Sequence, residues 1–197
     1  MSPTLAAKAA PSRSTAEAQR AKIVSRAVTV FSRAGFHATP VAAVAESAGV
    51  SPAYVFRLFP GKVGLFVATV DHCYARVCEA LVQGGEAAGV AGPAEILDHM
   101  TGAYVDLIRD RDLIMLQVHA QSACDVPEVQ DAVRRGIANV VRAVSRVSGA
   151  DAASVQRFIA YGQLCHLVVL ADLSGVNEAW ADTVSDGIRH STANARP

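Results

Sequence analysis

Apolar residues recur along this chain at three- and four-residue spacing and nowhere in sustained alternation, so the pattern predicts helix after helix. Ile23, Val24, Ala27, Val30 and Phe31 make one stripe on a first helix, Ala16–Ala34, which Gly35 stops. Val41, Val44, Ala45 and Ala48 make a second stripe at i, i+3, i+4 and i+7, ending at Gly49, where a left-handed turn is cheap. A third helix begins almost at once, at Ser51. Further helices are expected over Lys62–Val82, ended by Gly84-Gly85, then over Pro93–Arg109, Asp112–Ala123 and Pro127–Val147, closed by Gly149. Asp151 caps another that reaches Leu173, and Glu178–His190 follows Gly175. No alternating run is bounded by hairpin turns, so the expected fold is all-α with nine helices.

Two of these helices carry matched starts. In Thr39-Pro40 and Ser51-Pro52 a hydroxyl can accept a bond from an unpaired backbone N–H, and proline at the first helical position loses no hydrogen bond. With Gly49-Val50-Ser51 as the turn, the pair reads as a helix-turn-helix. At about 100° per residue, the second helix directs Pro52, Val55, Phe56 and Phe59 one way and Ala53, Tyr54, Arg57 and Leu58 the other. The first set suits packing; the second suits contact with base edges in a major groove.

Charge agrees with that reading once it is divided. The 197 residues are 51% apolar and formally neutral, yet residues 1–70 carry eight basic against two acidic side chains, +6, and the remainder carries −6. A basic N-terminal part is what contact with phosphate requires. Lys62 sharpens this: the macrodipole disfavours a cation at a helix N-terminus by roughly 0.3–1 kcal/mol, and a bound phosphate would reverse that.

Other chemistries find little support. Cys73, Cys78, Cys124 and Cys165 show no zinc spacing with any histidine. Cys73 and Cys78 fall about 140° apart on a helix, so they cannot share a metal. No HExxH, phosphate-binding glycine loop or nucleophile elbow occurs, so neither an enzyme nor a cofactor is expected. The longest strongly apolar run, Leu164–Leu173, has ten residues and contains His166 and Asp172, too short for a bilayer. Met1–Thr15 lacks the apolar core of a signal peptide and reads as a disordered basic arm, which makes the cytoplasm the expected location.

The first helix, Thr39, Val44-Ala45, Ala48-Gly49-Val50-Ser51, Val55-Phe56, Phe59, Lys62 and Leu65-Phe66 together resemble the tetracycline-repressor-like (TetR) transcriptional regulators. The resemblance implies a DNA-binding head, residues 16–75, and an effector-binding and dimerisation body, residues 76–197. It implies DNA contacts from Thr39, Ser51, Pro52, Ala53, Tyr54, Arg57, Leu58 and Lys62, the last to a backbone phosphate. Phe56 departs from the tyrosine most members carry there, and gives up that hydroxyl's phosphate contact. An effector pocket is implied inside helices four to eight, with Tyr104, Met115, Gln117, His119, Gln121, Tyr161 and Cys165 as candidates that would serve equally as core. A homodimer through Asp151–Leu173 and Glu178–His190 is implied, bound to a palindromic operator as a repressor that a small, mostly apolar effector releases. The alternative is a ligand-binding or interaction protein of the same fold that does not bind DNA.

Overall fold

The computed structural model describes residues 13–188; the expected N-terminal arm up to residue 12, and Arg189 and His190 at the end of the last expected helix, lie outside them. Among the described residues there are nine α-helices and no strand. They are α1 (Arg13–Ala38), α2 (Val41–Ala48), α3 (Pro52–Leu58), α4 (Gly61–Ala87), α5 (Pro93–Leu107), α6 (Arg111–Ser122), α7 (Pro127–Ser148), α8 (Ala152–Leu170) and α9 (Ala179–Ser185), with a single 3-10 turn at Leu173–Gly175.

Local chemistry explains most boundaries. Pro52, Pro93 and Pro127 each stand in the first turn of a helix. The Asp151 carboxylate accepts the Ser154 N–H at 2.8 Å and opens α8. Gly49 (φ 69°) and Gly149 (φ 62°) close α2 and α7 in the left-handed region that only glycine enters freely.

The first helix breaks at Gly35 (φ 70°, ψ −173°) as expected, and a short helical turn beyond the kink carries α1 to Ala38. Four expectations are corrected. Gly84 and Gly85 do not end α4, which runs on to Ala87. They are packing positions instead: a Cβ on Gly84 would overlap Ala103, and one on Gly85 would overlap Met100 and Val147. Asp110, not Asp112, caps α6, accepting the Asp112 N–H at 3.2 Å. The long eighth helix ends at Leu170, because Asp172 turns left-handed (φ 54°) into the 3-10 turn. The last described helix has only seven residues.

The buried apolar residues form one large cluster from Ile23 in α1 to Val155 in α8 and a smaller one of Ile108, Ile114, Cys165, Val168, Leu173 and Ile188. Phe31 meets Phe66 edge-on at 4.8 Å between ring centres, and Phe36 meets Phe66 at 5.2 Å, so α1 and α4 are locked together by three phenylalanines. Helix α4 then continues to pack against α5 and α7. Where α4 crosses α7, Gly136 gives the Tyr74 ring its space, and a Cβ there would overlap it. The division expected near residue 75 falls within α4, which serves both parts. No single described helix is long and apolar enough to cross a membrane; α3 and α4 are so only jointly, across a 69° bend.

Candidate functional site

The turn between α2 and α3 is built as a tight bend. Val50 N–H donates to Ala45 O at 2.9 Å and Gly49 N–H to Glu46 O at 3.0 Å, which closes α2. The Ser51 hydroxyl then accepts the Tyr54 N–H at 3.2 Å and opens α3. The first matched start behaves differently. Helix α2 begins after Pro40, which is itself the cap with no side-chain bond, and Thr39 is 2% exposed with its hydroxyl unpartnered among the described residues. Thr39 therefore neither caps α2 nor faces outward.

Val55 and Phe59 bury their side chains and fix α3 to the core, as the two-face reading expects. Phe56 and Pro52 do not join them. Phe56 is 53% exposed and Pro52 is also exposed, while Tyr54 and Leu58, assigned to the outward face, are half-buried against the core. The helix is only seven residues long and lies with Val55 directly beneath it, so the outward face is Ser51, Pro52, Ala53, Phe56 and Arg57. Tyr54 contributes its ring from the side: the Arg57 guanidinium lies over it at 4.4 Å from the ring centre. That stacking limits the orientations of Arg57 before any ligand arrives.

The cations of the head are without counter-charges: among the described residues, no carboxylate lies within 4.0 Å of Arg20, Lys22, Arg26, Arg33, Arg57 or Lys62. In the later helices Arg76, Arg109, Arg134 and Arg135 each pair with an aspartate, while Arg111, Arg142, Arg146 and Arg157 do not. Lys22 lies beside Ser51 and Tyr54 at the start of α3. Two of the six are held by neutral groups. Arg20 donates to Leu58 O at 2.6 Å and covers the Phe59 ring at 4.2 Å. Lys62 donates to His37 O at 3.0 Å with its ammonium 4.9 Å from the Phe36 ring centre, so part of what favours a cation at this helix start is internal.

A second feature lies between the later helices. A partly open cavity with about 110 Å³ of inner space lies among side chains of α4, α5, α6, α7 and α8 together with Gly187 and Ile188. Of the residues expected in a pocket, Tyr104, Gln117, Tyr161 and Cys165 line it. Met115, His119 and Gln121 do not. His119 faces the other way, its ring against Gly35, where an added Cβ would come within 2.7 Å of Nδ1. Gln121 is exposed and reaches the lining only through Gln163, to which it donates at 3.1 Å. Tyr74, Val77, Leu81, Ile137, Val140 and Phe158 were absent from the expected set. Their spacing is that of any core stripe, so no signal in the sequence separates them from ordinary packing.

Burial sets the protonation of the groups near this cavity. It pushes Cys73 up to about 12 and raises Cys78 and Cys165, so these thiols remain protonated at neutral pH and lack the reactivity of redox sensors. It also lowers His166 to about 4, leaving the imidazole neutral, with Nε2 2.5 Å from the Tyr104 hydroxyl. Among the described residues, no group of three or more His, Cys, Asp or Glu side chains is placed to hold a metal.

The basic helix-turn-helix has a counterpart among known families: residues 23–69 match the family described as bacterial regulatory proteins, tetR family. The head is a tetR-family domain. The whole described chain has the fold of transcriptional regulators carrying that domain. It resembles FadR of Bacillus subtilis, solved with stearoyl-CoA (TM-score 0.67, 16% identity, covering 83% of this chain and 94% of that one). It also resembles a TetR-family regulator of Agrobacterium tumefaciens (TM-score 0.63, 18% identity, 86% and 93% covered). A TetR-like regulator of Rhodococcus sp. RHA1 is similar as well (TM-score 0.61, 23% identity, 89% and 94% covered). No curated protein matches the chain.

Besides α4, which runs from the head into the cavity wall, α6 ties the tetR-family head to the cavity-bearing helices. Ser32 of α1 donates to Asp112 Oδ1 at 2.8 Å, and His119 packs on Gly35, while on the opposite side of α6 Gln117 lines the cavity. His37 and Asp125 approach at 3.6 Å just beyond. One twelve-residue helix thus touches both the cavity and the head.

Proposed function

We propose that this chain is a sequence-specific DNA-binding transcriptional regulator, acting as a repressor that a small, mostly apolar effector releases from a palindromic operator. The observation that carries the reading is the exposed face of α3, with the Arg57 guanidinium stacked on Tyr54, Arg20 and Lys22 beside it, and no carboxylate paired with any of the three among the described residues. Cations left unpaired on one face cost little in water and gain counterion-release free energy on a duplex. In this account Ser51, Pro52, Ala53, Phe56 and Arg57 enter the major groove. Arg20, Lys22, Arg26, Arg33 and Lys62 supply positive charge toward the flanking phosphates.

A seven-residue reading helix contacts few base pairs, so two heads on a two-fold axis are needed for specificity. The dimer surface we assign lies on α8 and α9, where Tyr161 (55%), Leu167 (54%) and Trp180 (51%) are exposed large apolar side chains. FadR of Bacillus subtilis was solved in complex with stearoyl-CoA, and the cavity among α4 to α8 is the place we assign to a signal here. Helix α6 would carry it to the head through the Ser32 and Gly35 contacts.

Titration of the protein with a mixed-sequence duplex between about 50 and 200 mM salt tests the reading. Affinity should fall tenfold or more across that range, roughly as several released counterions require. A flat response would instead favour a ligand-binding protein of this fold that does not bind DNA. In the same assay Lys62→Ala should weaken binding to all duplexes alike and reduce the salt slope by about one. Unchanged affinity at every salt concentration would remove Lys62 from the interface and leave it as the internal partner of His37.

A further inference from the structure

The cavity's chemistry narrows the class of molecule it can hold. Among the described residues, every side chain that lines it is uncharged. An ionised carboxylate, phosphate or ammonium would enter without a counter-charge, and burying an unpaired charge is strongly unfavourable. The inner space, about 110 Å³, is below that of an engineered cavity of roughly 150 Å³ that holds benzene, so a bound molecule extends toward the open side, where the lining residues Tyr161 and Ile137 are exposed.

Within the apolar lining one hydroxyl stands out. Tyr104 is half-buried at the cavity wall with His166 Nε2 at 2.5 Å on its far side. Burial keeps the phenol protonated by raising its ionisation well above the ordinary range, with the Gln117 side chain beside it partly opposing that. The imidazole is neutral, so one of its nitrogens carries hydrogen and the other does not. His166 Nδ1 is buried and meets no partner among the described residues. An orphaned N–H is rarer in folded proteins than an orphaned lone pair, which assigns the hydrogen to Nε2. Nε2–H then donates to the tyrosine oxygen. The Tyr104 O–H is then not committed to His166, and the Gln117 side chain, its hydrogen-bonding neighbour in the cavity wall, is the group beside which a ligand oxygen would accept. Thr101 does not compete for a ligand in the same way, since its hydroxyl donates to Leu97 O at 2.9 Å.

We infer that the cavity takes an uncharged, mostly apolar molecule whose carbonyl or ether oxygen accepts a hydrogen bond from Tyr104, held in place by His166 behind it. This rests on the reading of the cavity as the effector site. A charged group would find no counter-charge in the described lining.

The test uses three molecules of nearly equal shape, acetophenone, benzoate and benzylammonium, titrated calorimetrically at neutral pH into the full chain without DNA. Acetophenone should bind at least about a hundredfold more tightly than either ion, given the cost of burying an unpaired charge. Tyr104→Phe should weaken acetophenone by roughly two- to tenfold, the worth of one hydrogen bond. Benzoate or benzylammonium binding as tightly as the ketone overturns the inference, and so does failure of all three to bind. If Tyr104→Phe folds but keeps full affinity, the hydroxyl is not the donor; if it does not fold, the comparison of the three molecules on the native protein decides the matter alone. DNA is absent throughout, so a negative result leaves the duplex-binding account standing. Conversely, a protein that binds the ketone but no duplex would retain this ligand class and lose its regulatory role.

Discussion

Phe66→Ala is expected to destabilise the protein by about 3–5 kcal/mol, the usual cost of emptying a buried aromatic site. The side chain is fully buried and touches Phe31 and Phe36 of α1 from its place on α4. Its removal opens a cavity between the helix that carries the head and the helix that runs on into the body. Against a total stability of about 5–15 kcal/mol this is a large fraction, and it should lower the thermal midpoint by roughly 6–20 °C for a chain of this size. Phe56→Ala provides the control. The same chemical change at a 53% exposed site should alter stability by no more than about 0.5 kcal/mol. Scanning calorimetry or thermal circular dichroism on the pair would show it, and equal losses in both variants would mean that Phe56 is packed after all.

Arg57→Ala is expected to have the largest effect of any single substitution on DNA recognition. The guanidinium is exposed on the outward face of α3 and stacked on Tyr54, which holds its planar fork in a limited range of directions. A fork so held can donate both bonds to the O6 and N7 of one guanine, a contact worth about 1–3 kcal/mol of discrimination. The loss should therefore fall on the selected site and hardly on unrelated duplexes. Equal losses on both would reassign Arg57 to a phosphate. Tyr54→Leu should give a smaller loss in the same direction, since it removes the surface on which the guanidinium is arranged without removing the charge.

The helices were largely legible in the sequence because the signals that start them are local. Pro93, Pro127 and Asp151 open helices in the structure for the reasons that make them helix openers in any chain. The failures share a different origin. Gly84-Gly85 carries the local signature of a helix end, yet both residues are glycine because α5 and α7 press against α4 there, a fact that exists only in three dimensions. Thr39-Pro40 and Ser51-Pro52 look alike, but α2 starts one residue later relative to its proline than α3 does, so only Ser51 reaches an N–H. Phe56 was assigned to the packing face on angle alone, although a short helix resting on Val55 leaves its neighbours at the edge of contact. The cavity was the least legible part. Tyr104 and Gln117 could be picked out as polar groups on apolar helices, but His119 has the same character and faces the head instead. Which side of α6 meets the cavity is decided by how α6 sits between α1 and α4, α7 and α8, and that placement has no counterpart in the residue spacing.

The central claim is that two copies of this basic head read DNA together. Selection of bound duplexes from a random-sequence pool by the full chain addresses it most directly. The account predicts enrichment of a palindrome with half-sites about one helical turn, 10–10.5 base pairs, apart or a small multiple of that. Repeated rounds that enrich no two-fold symmetric sequence would contradict it.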